Sequence, residues 1–138
     1  MPNSAPLIEL TDPIQALRMH LQMTTRVLLV EDDPLTRHIV RNTLKDKCFF
    51  ATAPDARIAQ LMITAYRPDI VVLDIGLPDV PGTKVFDWLQ TFDPTIGVIV
   101  FTGAQNINEI NMLMSKGARR VITKPFLRDD LLEQVLYG

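Results

Sequence analysis

Five short apolar runs recur along the chain, and most are apolar at every position rather than at every second one. They are Val27-Leu28-Leu29-Val30, Cys48-Phe49-Phe50-Ala51, Ile70-Val71-Val72-Leu73, Val98-Ile99-Val100-Phe101 and Val121-Ile122. A strand with one wet face alternates, whereas a continuous apolar run is covered on both sides, as in a parallel sheet. Parallel neighbours need crossover connections, and the intervening segments change to helical period. Ile58, Leu61, Met62 and Ala65 recur at that spacing, as do Ile107, Ile110 and Met114. Asp33-Pro34 reads as a cap followed by proline in the first helical turn, and Gly117 as a helix stop. The expectation is an α/β domain: a doubly wound, five-stranded parallel sheet of flavodoxin-like (βα)5 form, spanning residues 26–138.

Residues 1–25 stand apart from that pattern. Pro2 to Leu10 reads as loosely structured, and Thr11-Asp12-Pro13 opens a short amphipathic helix carrying Ile14, Leu17 and Leu21. So short a helix needs a surface for its apolar stripe. Packing on its own domain is the expected role, with a homodimer contact or a partner contact as the others open to it.

Length and composition narrow the function. The chain has 138 residues, enough for one domain with a real core, and a net charge of −2, which provides no attraction to nucleic acid or to a membrane surface. Its single cysteine, Cys48, excludes an internal disulfide and suits a reducing compartment. Beside Phe49 and Phe50 it reads as a buried thiol. No apolar stretch reaches membrane-spanning length and no signal segment opens the chain, so a cytoplasmic location is expected.

The chemistry-bearing residues stand where the apolar runs stop. Asp74 follows the third run and precedes a turn, Leu77-Pro78-Asp79-Val80-Pro81-Gly82. Open α/β sheets place their ligands at this carboxyl-end rim. The first run ends in Glu31-Asp32-Asp33, adjacent carboxylates whose repulsion a divalent cation would relieve. Oxygen-only donors favour Mg²⁺ over zinc. Asp33 is read as the helix cap, and Glu31 and Asp32 as the candidate ligands. The fourth run ends at Thr102-Gly103-Ala104, offering a hydroxyl, and the fifth at Lys124-Pro125-Phe126, offering a point charge for a phosphate. Pro125 is a candidate for a cis bond that aims the lysine.

As an ordered set these motifs resemble the receiver domain of two-component response regulators. The residues that carry the resemblance are Val30-Glu31-Asp32-Asp33 with Arg37, Asp74-Ile75-Gly76-Leu77-Pro78 with Gly82, Thr102-Gly103, and Lys124-Pro125-Phe126, within a span of Arg26 to Leu136. The resemblance implies that Asp74 accepts a phosphoryl group from a sensor histidine kinase or a phosphotransfer protein. It implies Asp32 as direct Mg²⁺ ligand, Glu31 as water-mediated ligand and the Gly76 carbonyl as a further one. Thr102 would be the switch hydroxyl and Lys124 the partner of the phosphoryl group. Such a protein catalyses only its own phosphorylation and dephosphorylation, and it acts on an output domain or a downstream protein.

Two departures qualify the resemblance. Val121 stands where family members often carry an aromatic switch residue, which moves the expected output to the loop and helix after Thr102, within residues 103–123. Gly76 and Ala104 are small, which implies easy access of water and a short-lived acyl phosphate. A phosphatase of the haloacid dehalogenase type would need a second aspartate where Gly76 stands. A pseudo-receiver, an interaction module that is never phosphorylated, remains the alternative, although the key residues are all present. The end at Tyr137-Gly138 fits either a stand-alone regulator or one domain of a larger protein.

Overall fold

In the computed structural model, residues 12–103 and 107–137 are described, except for the side chains of Arg18, Met19, Leu21 and Gln22. The segment Pro2–Leu10, Thr11, the Leu21 side chain, Ala104 and Gly138, all read from sequence above, therefore lie outside the described residues.

The elements alternate in the expected order: α1 (Pro13–Thr24), β1 (Arg26–Val30), α2 (Pro34–Leu44), β2 (Phe49–Ala53), α3 (Ala56–Tyr66), β3 (Ile70–Asp74), α4 (Gly82–Phe92), β4 (Gly97–Thr102), α5 (Ile107–Ser115), β5 (Arg120–Thr123) and α6 (Arg128–Leu132), which runs on as a π-helical turn, Glu133–Tyr137. The five strands form one parallel sheet in the order β2-β1-β3-β4-β5. This is the doubly wound arrangement expected of right-handed crossovers that start from an interior β1 and build outwards on both sides.

Each face of the sheet carries its own core. Leu28, Val30, Val71, Leu73, Val98 and Val100 pack against α3, α4 and α5, which contribute Ala59, Ile63, Phe86, Leu89 and Leu113. On the opposite face Val27, Leu29, Val72, Ile99, Phe101 and Ile122 meet Val40 and Leu44 of α2 and Leu131 and Val135 beyond β5. Neighbouring residues of one strand thus enter different cores, which is why the inner runs are apolar throughout. Burial at about 25 cal/mol per Å² makes these two layers the main source of stability.

Several sequence expectations need correction. The second strand begins at Phe49, so Cys48 precedes it. Cys48 is buried, and burial pushes its thiol up to about 11, so it stays protonated. The edge strands are only partly covered: Phe49 is 57 % exposed, and β5 has one fully buried residue, Ile122. On α3 the buried residues are Ala56, Ala59 and Ile63, with Ile58 and Met62 alongside, while Leu61 and Ala65 face solvent. Small alanines let the helix approach the sheet closely, and the seam follows them rather than the largest apolar side chains. On α5, likewise, Leu113 is buried and Ile107 and Met114 are exposed.

Among the described side chains of α1, the apolar residues expected to dock on the domain do not: Ile14 is 65 % and Leu17 is 56 % exposed. Thr25 alone separates its end from β1. One residue is too short a connection to turn the helix back onto the sheet. The two local signals read from sequence do hold. Asp33 caps α2 by accepting the Thr36 backbone N–H at 3.1 Å, with Pro34 opening the helix. Gly117, at φ +118°, ends α5 in a conformation that favours glycine. No helix among the described residues is long and apolar enough to cross a membrane.

Candidate functional site

Parallel register brings the strand ends level. Val30 pairs with Leu73, Leu73 with Val100 and Thr102 with Thr123, so the residues that follow form one rim. Glu31 stands two places beyond Leu29 and Asp74 two beyond Val72, both on the face covered by α2 and α6. Their side chains meet there. One oxygen each from Glu31, Asp32 and Asp74 lie within 4.8 Å of one another, with Glu31 and Asp74 buried and Asp32 exposed. No other grouping of three or more such side chains occurs among the described residues.

One ammonium serves this group. Lys124 Nζ lies 2.7 Å from Glu31 Oε2 and 3.3 Å from Asp74 Oδ2, and its backbone N–H is held by the Thr102 carbonyl at 2.7 Å. The Lys124–Pro125 peptide bond is cis. Burial, then the nearby Asp74 carboxyl, raises Glu31 from its ordinary 4.5 to about 7 even though Lys124 works in the opposite direction. Burial alone would lower the Lys124 ammonium, but the hydrogen bond to Glu31 and the charge of Asp74 outweigh it and raise its pKa. The centre is therefore short of positive charge, the condition that a hard divalent cation relieves.

The surrounding backbone is fixed by specific contacts. Arg37 of α2 donates through Nη1 to the carbonyls of Glu31 at 2.9 Å and Asp32 at 2.8 Å, holding the acidic turn in shape. The Gly76 N–H donates to Asp74 Oδ1 at 2.8 Å. A Cβ on Gly76 would stand 3.4 Å from that same oxygen, so any side chain there would border the Asp74 carboxylate. Gly82 is required for a different reason: a Cβ would fall 2.3 Å from Ile75 Cα and 2.7 Å from the Asp74 carbonyl oxygen. Helix α4 starts against the end of β3, and only glycine permits that approach.

The sequence-derived residues do not all converge equally. Glu31, Asp32, Asp74 and Lys124 come together as described. Thr102 is buried at the end of β4, but among the described residues its hydroxyl makes no hydrogen bond to Asp74 or Lys124. Gly76 lies beside Asp74, with no described hydrogen bond ending on its carbonyl. Val121 is half-buried on β5.

One residue went unsingled in the sequence. Asp79, in the loop after Asp74, accepts the N–H of Ala56 at 3.1 Å and that of Arg57 at 3.2 Å, at the start of α3. Asp55 takes the next N–H, that of Ile58, at 2.9 Å. The amide of Ala56, with those of Arg57 and Val80, holds the Asp79 carboxyl below its ordinary range. Its sequence signal, an aspartate within a Pro-rich turn, was indistinguishable from an ordinary turn residue.

Residues 27–136 match the family described as the response regulator receiver domain. The virulence transcriptional regulatory protein PhoP of Salmonella typhimurium is 32 % identical over 111 residues, covering 80 % of this chain and 50 % of that protein. The chain thus spans about half the length of the curated relatives it matches. Among solved structures, the receiver domain of NtrX from Brucella abortus aligns with a TM-score of 0.75 at 30 % identity, covering 81 % of this chain and 98 % of that one. Chemotaxis protein CheY4 of Vibrio cholerae shares the fold, with a TM-score of 0.75 at 24 % identity over 80 % of this chain and 95 % of that one.

Proposed function

The chain belongs to the response regulator receiver domain family of two-component signalling, and on that premise we propose that it is a phosphoryl-accepting switch with Asp74 as the acceptor. The observation that carries the reading is the gathering of Glu31, Asp32 and Asp74 at the carboxyl rim of the sheet, with the Lys124 ammonium paired to Glu31 and Asp74. The donor phosphorus would be attacked by a carboxylate oxygen of Asp74. The P–N bond of a phosphohistidine breaks, its electron pair leaves with the imidazole, and an acyl phosphate forms on Asp74.

Charge control dominates such a transfer. Lys124 supplies one positive charge to the phosphoryl oxygens. The oxygen-only donors fit Mg²⁺: Asp32 and Asp74 would hold it directly, Glu31 through water and Gly76 through its carbonyl. The ion would neutralise charge on the transferring group. Thr102 would act as the switch hydroxyl once a phosphoryl group gives it an acceptor, and the response would appear in residues 103–123 as a population shift. The partners proposed are a sensor histidine kinase or phosphotransfer protein upstream and an output domain or separate protein downstream, in the cytoplasm. The exposed apolar face of α1 leaves a homodimer open as well.

Intact mass after incubation with acetyl phosphate and Mg²⁺ tests the reading. The wild type should gain one phosphoryl group, while Asp74→Asn and an EDTA-treated sample should gain none. No adduct, together with no binding of Mg²⁺ or beryllofluoride, would sink it in favour of a pseudo-receiver. The open position at Gly76 adds an expectation about lifetime. Gly76→Asn should slow loss of the phosphoryl group several-fold by standing between water and the acyl phosphate, and an unchanged decay rate would show that water arrives from elsewhere.

A further inference from the structure

Phe101 is completely buried in β4, immediately before Thr102. Across the sheet it pairs with Asp74 on one side and Ile122 on the other. Paired residues of a parallel sheet direct their side chains to the same face, and residues two apart on one strand share a face. Asp74, Phe101 and Lys124, two places beyond Ile122, therefore stand together on the face covered by α2 and α6. Lys124 Nζ lies 4.7 Å from the centroid of the Phe101 ring while it reaches Glu31 and Asp74. Phe126 supports the ring from the side, with centroids 5.4 Å apart and planes inclined at 54°.

A lysine carries its charge on a flexible four-carbon stem, so ion partners alone define its position loosely. The negative face of an aromatic ring attracts an ammonium, more strongly where water is partly excluded. The Lys124 side chain is 26 % exposed, and the ring beneath it not at all. We infer that Phe101 is a positioning residue whose ring face holds the Lys124 ammonium beside Asp74, ready for the oxygens of an incoming phosphoryl group. An aliphatic residue would fill the same core space without that hold. The effect on transfer rests on Asp74 being the acceptor; the placement of the ammonium over the ring does not.

Two variant types separate this role from core filling. Phe101→Leu removes the ring, and replacement of Phe101 by progressively fluorinated phenylalanines keeps the shape while weakening the ring's negative face. The first readout is the carbon-13 signal of the lysine Cε methylenes. In the wild type the Lys124 signal should be displaced from those of the other lysines by the ring current, and it should return among them in Phe101→Leu. A Lys124 signal at the ordinary position in the wild type would overturn the placement. The second readout is the rate of phosphorylation by acetyl phosphate with Mg²⁺, which should fall about two- to tenfold in Phe101→Leu and step by step along the fluorinated series. Across that series the urea midpoint should stay nearly constant. A rate indifferent to ring fluorination, in a protein whose wild type is phosphorylated, would overturn the inference. A wild type that takes up no phosphoryl group would instead overturn Asp74 as acceptor, and the ring-current result would still decide where Lys124 sits.

Discussion

At the amino ends of the strands, Arg26 donates to the Tyr66 carbonyl at 2.9 Å, Asp69 accepts the Arg26 backbone N–H at 2.8 Å, and Asp93 accepts the Thr95 hydroxyl at 2.6 Å. The Arg67 guanidinium lies over the Phe92 ring at 4.8 Å. At the carboxyl ends, Glu31, Asp32 and Asp74 stand together, Lys124 pairs with Glu31 and Asp74, and those two carboxylates are buried. Both ends carry charges of each sign. At the first, these charges are answered by neighbours close to solvent; at the second, two buried carboxylates share one ammonium. The contrast teaches that this fold can satisfy its charges locally, and the crowded end is where the proposed cation and phosphoryl group would complete the set.

The sharpest way to break the contrast is through the backbone of the unbalanced end. Gly82→Ala forces a methyl group into Ile75 and the Asp74 carbonyl. It should cost about 3 kcal/mol in urea unfolding and abolish phosphoryl uptake together with it. A variant of wild-type stability would mean that α4 can move away from β3 freely.

A second test relieves the imbalance instead. Glu31 ionises at about 7 in the fold against an ordinary 4.5, so within that window the folded chain keeps a proton the unfolded chain has lost. Without Mg²⁺, stability should therefore fall as pH rises through the window and stay reduced above it. Glu31→Gln removes this slope and should stabilise the metal-free protein above the window by about 1–2 kcal/mol. Urea titrations in EDTA on either side of the window measure it, and an undiminished slope in the variant would place the frustration on another group.

The smallest effect belongs to the balanced end. Asp69→Ala leaves one N–H of Arg26 without its acceptor and should cost less than about 1 kcal/mol, with no change in the phosphorylation rate. A change in that rate would show that the two ends communicate through β3.

The same contrast explains what could be read from residues alone. The sheet was legible because the inner strands must be apolar on both faces, and the rim because carboxylates, hydroxyl and lysine each follow such a run. Helix seams were less legible: on α3 the closest approach is made by Ala56, Ala59 and Ile63, and a reading weighted by hydrophobicity selects Leu61 instead. The gathering of distant segments at the rim was legible, but the individual contacts within it were not. Nothing local in Lys124 says that it meets Glu31 at 2.7 Å, and nothing in Phe101 distinguishes it from its core neighbours. Such contacts belong to the register of the sheet, which arises only when the whole chain has folded.

The grip of Asp79 on α3 has a practical consequence. The amides of Ala56 and Arg57 find their acceptor in the loop that follows Asp74, not in their own helix. Their exchange with deuterated solvent is therefore governed by opening of that loop, whereas the neighbouring Ile58 amide answers to Asp55. Three consecutive amides thus form an internal gauge. The first two report how often the loop after Asp74 lets go, and the third supplies the reference for fraying of the helix itself.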